Sequence, residues 1–338
     1  MRRNYCKHIA VLVVAFLLSP FYASGIIYEH GDVCYDGVIN ISDVTTLIDH
    51  LLSDRTNVVD DIDGDMQVNI DDVTALIDYL LMGDGEWKWA YAGPEFPDSA
   101  LVFEVNGFKF AMMPVEGGEF EPDGGTHTYV QSVTLGDYYI GQTEVTVGLW
   151  EAVMGSYPES ALMYRQSPWQ PVDMSTWWEC QDFIARLNEL TGCEFHLATY
   201  DQWQYAAIGG KYTHGYTYAG SNDPDEVAWH KDDIPELYDV SRFLYITIPV
   251  GMKAPNELGL YDMSGNVSEW VHGDPDQGDY LFPLDDPQAE LDQWLMCGST
   301  RNTPEQCGVY MRRWLPPHDN HSLFTGLRLA LGPDLSND

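Results

Sequence analysis

The sequence predicts a two-part chain: a small all-α module built from two calcium-loop–helix repeats, followed by a larger α+β domain poor in regular structure. Three observations lead there. Residues 32–52 recur as residues 61–81, offset by 29 positions. A Gly- and Pro-punctuated stretch without periodicity, residues 83–100, sets the repeats apart from the remainder of the chain. Residues 101–332 then read as short strands, turns and long loops interrupted by only three helical patterns.

Taken in order, residues 1–24 read as an export signal. Arg2, Arg3 and Lys7 give a positive start, Ile9 to Leu18 an apolar core, and Tyr22-Ala23-Ser24-Gly25 small residues for cleavage. The apolar run is too short to span a bilayer comfortably and is interrupted by Ser19-Pro20, so no membrane span is expected after cleavage. No cysteine follows the run where a lipid-anchored protein would need one. The expected location is secreted, periplasmic or cell-surface associated. Cleavage also removes Cys6, leaving Cys34, Cys180, Cys193, Cys297 and Cys307; outside the cytoplasm some of these should pair, and an odd number leaves at least one over.

The repeats occupy the module at residues 25–82. Asp32, Asp36, Asn40 and Asp43, and again Asp61, Asp65, Asn69 and Asp72, fall at positions 1, 5, 9 and 12 of twelve-residue loops, the spacing of an EF-hand-type calcium loop. Asp63 and the main-chain carbonyls of Val38 and Gln67 complete the expected ligand sets. Apolar residues follow at helical spacing: Val44, Leu47, Ile48, Leu51 and Leu52, then Val73, Leu76, Ile77, Leu80 and Leu81. Two helices this short can bury such stripes only against each other, so calcium is expected to gate folding of the module. Cys34 at position 3 of the first loop and Met66 at position 6 of the second depart from the pattern. Ile41 and Ile70 occupy matching positions beside the last ligands, where the plain reading is packing of the helix starts. Residues 83–100 read as a linker whose Trp87, Trp89 and Tyr91 lie against a neighbouring module.

In the large domain, Phe103-Glu104-Val105 and Phe108 to Met112 predict a hairpin around Asn106-Gly107. Thr146 to Met154, Trp177 to Leu190 and Tyr200 to Ala207 predict helices. Residues 333–338 are a tail. The whole chain of 338 residues carries 16 basic against 53 acidic side chains, a net charge of -37. Such a surface repels nucleic acid and anionic lipid and favours divalent cations, so no nucleic-acid partner is expected.

The chemistry concentrates at two places. Gly259 to Trp270 sets Asp262 and Glu269 around a Gly-Asn turn with apolar flanks and almost no Lys or Arg nearby. Buried carboxylates need a partner, and calcium held by them and by turn carbonyls competes here with a plain solvated turn. The second place is Cys297 to Cys307. Elsewhere no nucleophile elbow surrounds Ser299 and no phosphate-binding glycine loop is present. His214, His230, His272, His318 and His321 show no metal spacing and read as surface or loop histidines.

Two families are recognisable on these residues. The duplicated loops, with Asp43 and Asp72 rather than a long Glu at the last ligand and no helix before Asp32, resemble the dockerin module. That resemblance implies a cohesin-type partner bound through residues 32–81, and makes Ile41 and Ile70 candidates for its recognition. The stretch Gly259-Leu260-Tyr261-Asp262-Met263-Ser264-Gly265-Asn266-Val267-Ser268-Glu269-Trp270 resembles the signature of the formylglycine-generating enzyme (sulfatase-modifying factor) family. The likeness extends through Pro114 to Phe120, Tyr138 to Thr146, Trp203 to Ala207, Pro255 to Gly259 and Gly326 to Ala330. It implies a C-type-lectin-like fold and a structural calcium on Asp262, the carbonyls of Gly265 and Val267, and Glu269.

The family's enzymes oxidise a sulfatase cysteine to formylglycine with oxygen and copper held by two thiolates, ligands that suit Cu(I). Ser299 and Cys307 match the catalytic serine and the second cysteine, whereas Asn302 stands at the first. Cys297 lies five residues upstream of that place, roughly 16 Å along an extended segment. Ser268 replaces a tryptophan, and His196 to Tyr205 keeps the family's aromatic positions while losing most of its charges. The resemblance therefore implies a non-catalytic binding or display domain anchored through cohesin, with calcium as cofactor. Two alternatives stay open: an oxidase acting on sulfatases through Cys307, the case that would need copper, and a lectin-like glycan binder drawing on 11 Trp and 21 Tyr. In either case residues 101–332 would meet the sulfatase or glycan. As a structural cysteine in an exported chain, Cys307 is expected to pair with Cys180.

Overall fold

The computed structural model describes residues 30–34, 38–53, 55–56, 60–65, 67–82, 87, 90–122, 132–156, 167–173, 175–233, 247–272, 294–296, 298–314 and 324–332. The export signal, Asp36, Met66, Trp89, Cys297, the His318–Ser322 segment and the tail lie outside the described residues.

Each acidic loop runs into a helix, α1 (Ile41–Ser53) and α2 (Ile70–Met82). Asn40 and Asn69 cap them, each side-chain oxygen accepting from the amide two residues on, Ser42 and Asp71. Val33, Val44, Leu47, Ile62, Val73 and Leu76 form the module's own small core. The predicted stripe is buried only in part: Leu52 and Leu81 are 83% and 78% exposed. Helical spacing finds the apolar face, but a pair of short helices is too small to cover all of it.

The large domain is built on two sheets. The hairpin forms as its Asn-Gly turn predicts, β1 (Leu101–Val105) pairing with β2 (Phe108–Val115), and Asn106 takes the positive φ that such a turn demands. β2 pairs antiparallel with β5 (Tyr138–Gly141), which pairs with β11 (Leu329–Leu331), which pairs with β6 (Phe195–Leu197). A two-strand ribbon, β3 (Glu119–Phe120) with β4 (Val133–Thr134), lies between β2 and β5 in sequence. The second sheet runs β10 (Thr325–Leu327), β7 (Ser268–Val271), β8 (Trp294–Met296), β9 (Arg312–Trp314), with β10 and β7 parallel.

Three helices stand where the sequence predicts them, α3 (Val147–Met154), α4 (Trp177–Thr191) and α5 (Tyr200–Ala207), and Thr146, Thr176 and Thr199 cap their starts. Thr176 with Glu179 and Thr199 with Gln202 form reciprocal capping boxes. A single turn, α6 (Pro224–Val227), follows.

Apolar side chains gather in two large clusters. One packs Trp150, Phe183, Leu187, Phe195 and Trp270. The other packs Ile140, Trp203, Tyr205, Met263 and Met296. Cys180 belongs to the first and Cys307 to the second, so the expected disulfide between them does not form. Cys180 is a buried free thiol whose Sγ lies 3.4 Å from Ser175 Oγ. Helical spacing marks the face that carries Cys180 as buried, but it does not say which core that face enters. Among the described residues no helix is long and apolar enough to cross a membrane.

Candidate functional site

In each acidic loop the last aspartate is completely buried and ties the loop to its own start. Asp43 accepts from the amides of Cys34 and Asn40 at 3.0 and 2.8 Å. Asp72 accepts from Ile62 and Asn69, both at 2.7 Å. Ligand atoms of Asp32, Cys34 and Asp43 lie within 4.8 Å of one another, as do those of Asp61, Asp63 and Asp65. Burial, reinforced by the neighbouring Asp72 and Asp65, pushes the Asp63 carboxyl up to about 6. Crowded buried carboxylates that repel one another fit a hard divalent cation. Val38 and Gln67 sit at the exposed rim, their carbonyls on the loop; the Val38 carbonyl accepts from Asn40 Nδ2 at 2.8 Å.

The turn at residues 259–270 is shaped by main-chain geometry. Gly265 has φ 90°, and a Cβ there would lie 2.2 Å from the Trp229 carbonyl oxygen, so only glycine fits. Asp262 itself takes φ 58°, an uncommon conformation for a residue with a side chain. Its Oδ2 accepts from the Gly251 amide at 2.7 Å, while Oδ1 is buried with no hydrogen bond. Gly265 and Val267 are also buried.

Glu269 corrects one premise of the sequence. A basic residue is close after all: Arg328, between β10 and β11, donates from Nε and Nη2 to Glu269 at 2.7–3.1 Å. Trp203 Nε1 donates to the same carboxylate at 2.6 Å. Both Glu269 and Arg328 are buried, and the guanidinium also serves the carbonyls of Gly141 and Tyr261. The unsatisfied oxygens belong instead to Asp262 and to Glu144, which sequence reasoning missed; both Glu144 oxygens are buried without a hydrogen bond. Burial and the nearby Asp262 hold the Glu144 carboxyl well above the usual carboxylate range, and burial pushes Asp262 up to about 6. The Arg328 guanidinium and, more weakly, the Lys253 ammonium act on Asp262, yet Asp262 Oδ1 and both Glu144 oxygens stay without a hydrogen bond, which fits a cation on the Asp262 side. The signal for Glu144 in the sequence is its place in the Tyr138 to Thr146 stretch that carries the family likeness.

The cysteine loop is closed on itself. Ser299 donates from both its amide and its hydroxyl to Asn302 Oδ1, at 2.8 and 2.9 Å. Asn302 Nδ2 donates to Gln306 Oε1 at 3.2 Å, and its carbonyl accepts from Lys231. Cys307 is fully buried, with Sγ 3.9 Å from the Ser299 carbonyl oxygen. Gly298 lies against Cys307 Sγ and Asn302 Cβ together, so the residues at the two thiolate places do meet at one spot. Ser268 is buried at the start of β7.

His230 is not a surface residue. It is buried, with Nε2 3.1 Å from Asp225 and 3.3 Å from Asp233, and Lys253 Nζ reaches Asp233 at 2.7 Å. The Lys253 ammonium pairs with Asp233 and also donates to the Ala228 carbonyl, which makes this a structural network. His214 does lie on the surface, against Glu257.

Residues 106–332 match the family described as sulfatase-modifying factor enzyme 1-like domain. Chaperone protein LppX of Paenibacillus barcinonensis is 32% identical over 198 residues, covering 46% of this chain and 69% of that protein. Of solved structures, Treponema denticola variable protein 1 matches with TM-score 0.56 and 25% identity, over 70% of this chain and all of that one. PvdO from Pseudomonas aeruginosa matches with TM-score 0.51 and 20% identity, over 70% of this chain and 99% of that one. Together these support an α+β, C-type-lectin-like fold for the large domain.

Proposed function

Because residues 106–332 belong to the sulfatase-modifying factor enzyme 1-like family, we propose that this domain is a non-catalytic binding or display module, exported and carried on a calcium-dependent, dockerin-like plug. The observation that carries the reading is Asn302. At the place of a copper-ligating thiolate it holds the Ser299 amide and hydroxyl and reaches Gln306, acting as the clasp of its own loop. An amide is a poor Cu(I) ligand, and here its oxygen is already engaged. Cys307 is left as a buried thiol in an apolar cluster. The relative from Paenibacillus barcinonensis carries the name of a chaperone, which is in keeping with a binding role.

The anchoring half is supported by exposure. Ile41 and Ile70, equivalent in the two repeats, are 67% and 66% exposed, and Leu52 and Leu81 repeat the pattern at the far ends of α1 and α2. Equivalent apolar residues presented twice suit an apolar cohesin surface. The calcium reading rests on the crowded carboxylates of both loops and on Asp262.

The test is an oxidation assay on the mature chain with copper, oxygen, reductant and a Cys-x-Pro-x-Arg peptide, read by mass spectrometry beside an active family member. No formylglycine is expected. Product that vanishes in Cys307→Ser would replace this reading with the oxidase. For the anchor, calcium-dependent capture by a cohesin panel is expected and should be lost in Ile41→Asp/Ile70→Asp; no capture by any cohesin would remove that half.

A further inference from the structure

The segment between the two modules is fastened to both. On the module side, the Trp87 ring stacks on Tyr79 with centroids 3.8 Å apart and planes 3° apart, and meets His30 edge-on at 4.5 Å. Gly31 makes room for it, since a Cβ there would lie 2.6 Å from the indole. Three residues later the Ala90 amide donates to the carbonyl of Asp63 at 2.9 Å, inside the second acidic loop.

The same segment then enters the large domain. Tyr91 Oη donates to the Val250 carbonyl at 2.6 Å, and the Trp169 ring lies directly over Gly93. Gln142 Nε2 donates to the Glu95 carbonyl at 2.9 Å. Val250 is followed by Gly251, whose amide is held by Asp262 Oδ2. An unbroken path of hydrogen bonds and packed rings thus runs from the second acidic loop to the turn that carries the buried carboxylates.

We propose that Trp87 and residues 90–95 act as a strap that links cation binding in the second loop to the stability of the Val250–Asp262 turn, so that the loaded chain is one body with a fixed presentation of its large domain. This rests on the reading of the second loop as a cation site. A cation that binds only the ordered loop stabilises whatever is ordered with it. Fixing the Asp63 peptide fixes the Ala90 donor, and with it the approach of Tyr91 to Val250. A contiguous path makes coupling possible; a shared equilibrium is what has to be measured.

The experiment is hydrogen exchange on the mature chain, in EDTA and in saturating calcium, followed at residues 60–82 and at the Gly251 amide. Calcium is expected to slow exchange in both places, at Gly251 by about tenfold, a modest share of what saturating ligand can give. In Trp87→Ala and in Ala90→Pro, which lacks the donor, residues 60–82 should still respond, while the Gly251 response should shrink to the part that calcium at Asp262 gives directly. Asp61→Asn should abolish the response of residues 60–82 and reduce that of Gly251 to the same remainder. Three results overturn the proposal in different ways. A silent residue 60–82 region removes the cation reading and the strap with it. A responsive loop with a silent Gly251 removes the strap alone. A Gly251 response left undiminished by Ala90→Pro and Asp61→Asn means that calcium acts there through Asp262 alone and that the strap carries nothing.

Discussion

Arg328 has no exposed surface, and its guanidinium is shared between Glu269 and two main-chain carbonyls. Removing one partner of a buried pair strands the other charge, so Arg328→Met should lower the unfolding free energy by about 3–5 kcal/mol in urea titrations. Unchanged stability would mean that Glu269 is held by something other than Arg328. Cys180 allows a second test. Burial pushes its thiol up to about 12 from an ordinary value of 9.0, so the folded chain keeps the proton that the unfolded chain gives up. This contribution is fully present below pH 9, and it is lost as pH rises from there toward 12. Stability of the wild type should therefore fall more steeply over that window than stability of Cys180→Ala; parallel profiles would refute the assignment. The burial of Cys180 is legible in the helical spacing, whereas the role of Arg328 is not. Arg328 lies 59 positions from Glu269 and stands out there only as part of a motif. The sequence shows an acid-rich turn short of cations, and the missing cation arrives through strand pairing, which no local pattern encodes.

Elements follow local rules where local rules decide them. The Asn106-Gly107 turn and the threonine caps of α3, α4 and α5 can be read directly because each is settled within a few residues. The order of β5, β11 and β6, and the parallel pairing of β10 with β7, cannot, since they join segments far apart in the chain. The apolar stripes of α1 and α2 show the same limit in another form: periodicity marks Leu52 and Leu81 as apolar positions, while exposure depends on what covers them. The loop at residues 298–307 sits between these cases. Its likeness to a cysteine-bearing loop is plain, but the meaning of Asn302 comes from its bonds. Asn302→Ala removes the acceptor of two Ser299 donors and should destabilise the domain by about 1–3 kcal/mol, with faster exchange confined to residues 298–307. A silent substitution would show that Ser299 is satisfied without it, and that the loop is not clasped as argued.

At the scale of the molecule, the net charge of -37 surrounds two acidic loops whose own carboxylates already crowd together. Two electrostatic contributions to calcium binding can be separated by their range. Remote surface charges act over a Debye length of about 10 Å at 0.1 M salt and about 3 Å at 1 M. The carboxylates of Asp61, Asp63 and Asp65, with ligand atoms within 4.8 Å of one another, would contact the ion directly and are screened far less. Raising sodium chloride from low to molar concentration should therefore weaken calcium binding by about tenfold and then level off. Titration calorimetry of the mature chain at several salt concentrations reads this directly. A continued steep loss would mean that the ion is held diffusely by the acidic surface, and the duplicated loops would then be solvated turns. A plateau, with binding removed by Asp61→Asn, would place the ion in the loops and leave the rest of the charge to keep the chain away from anionic surfaces.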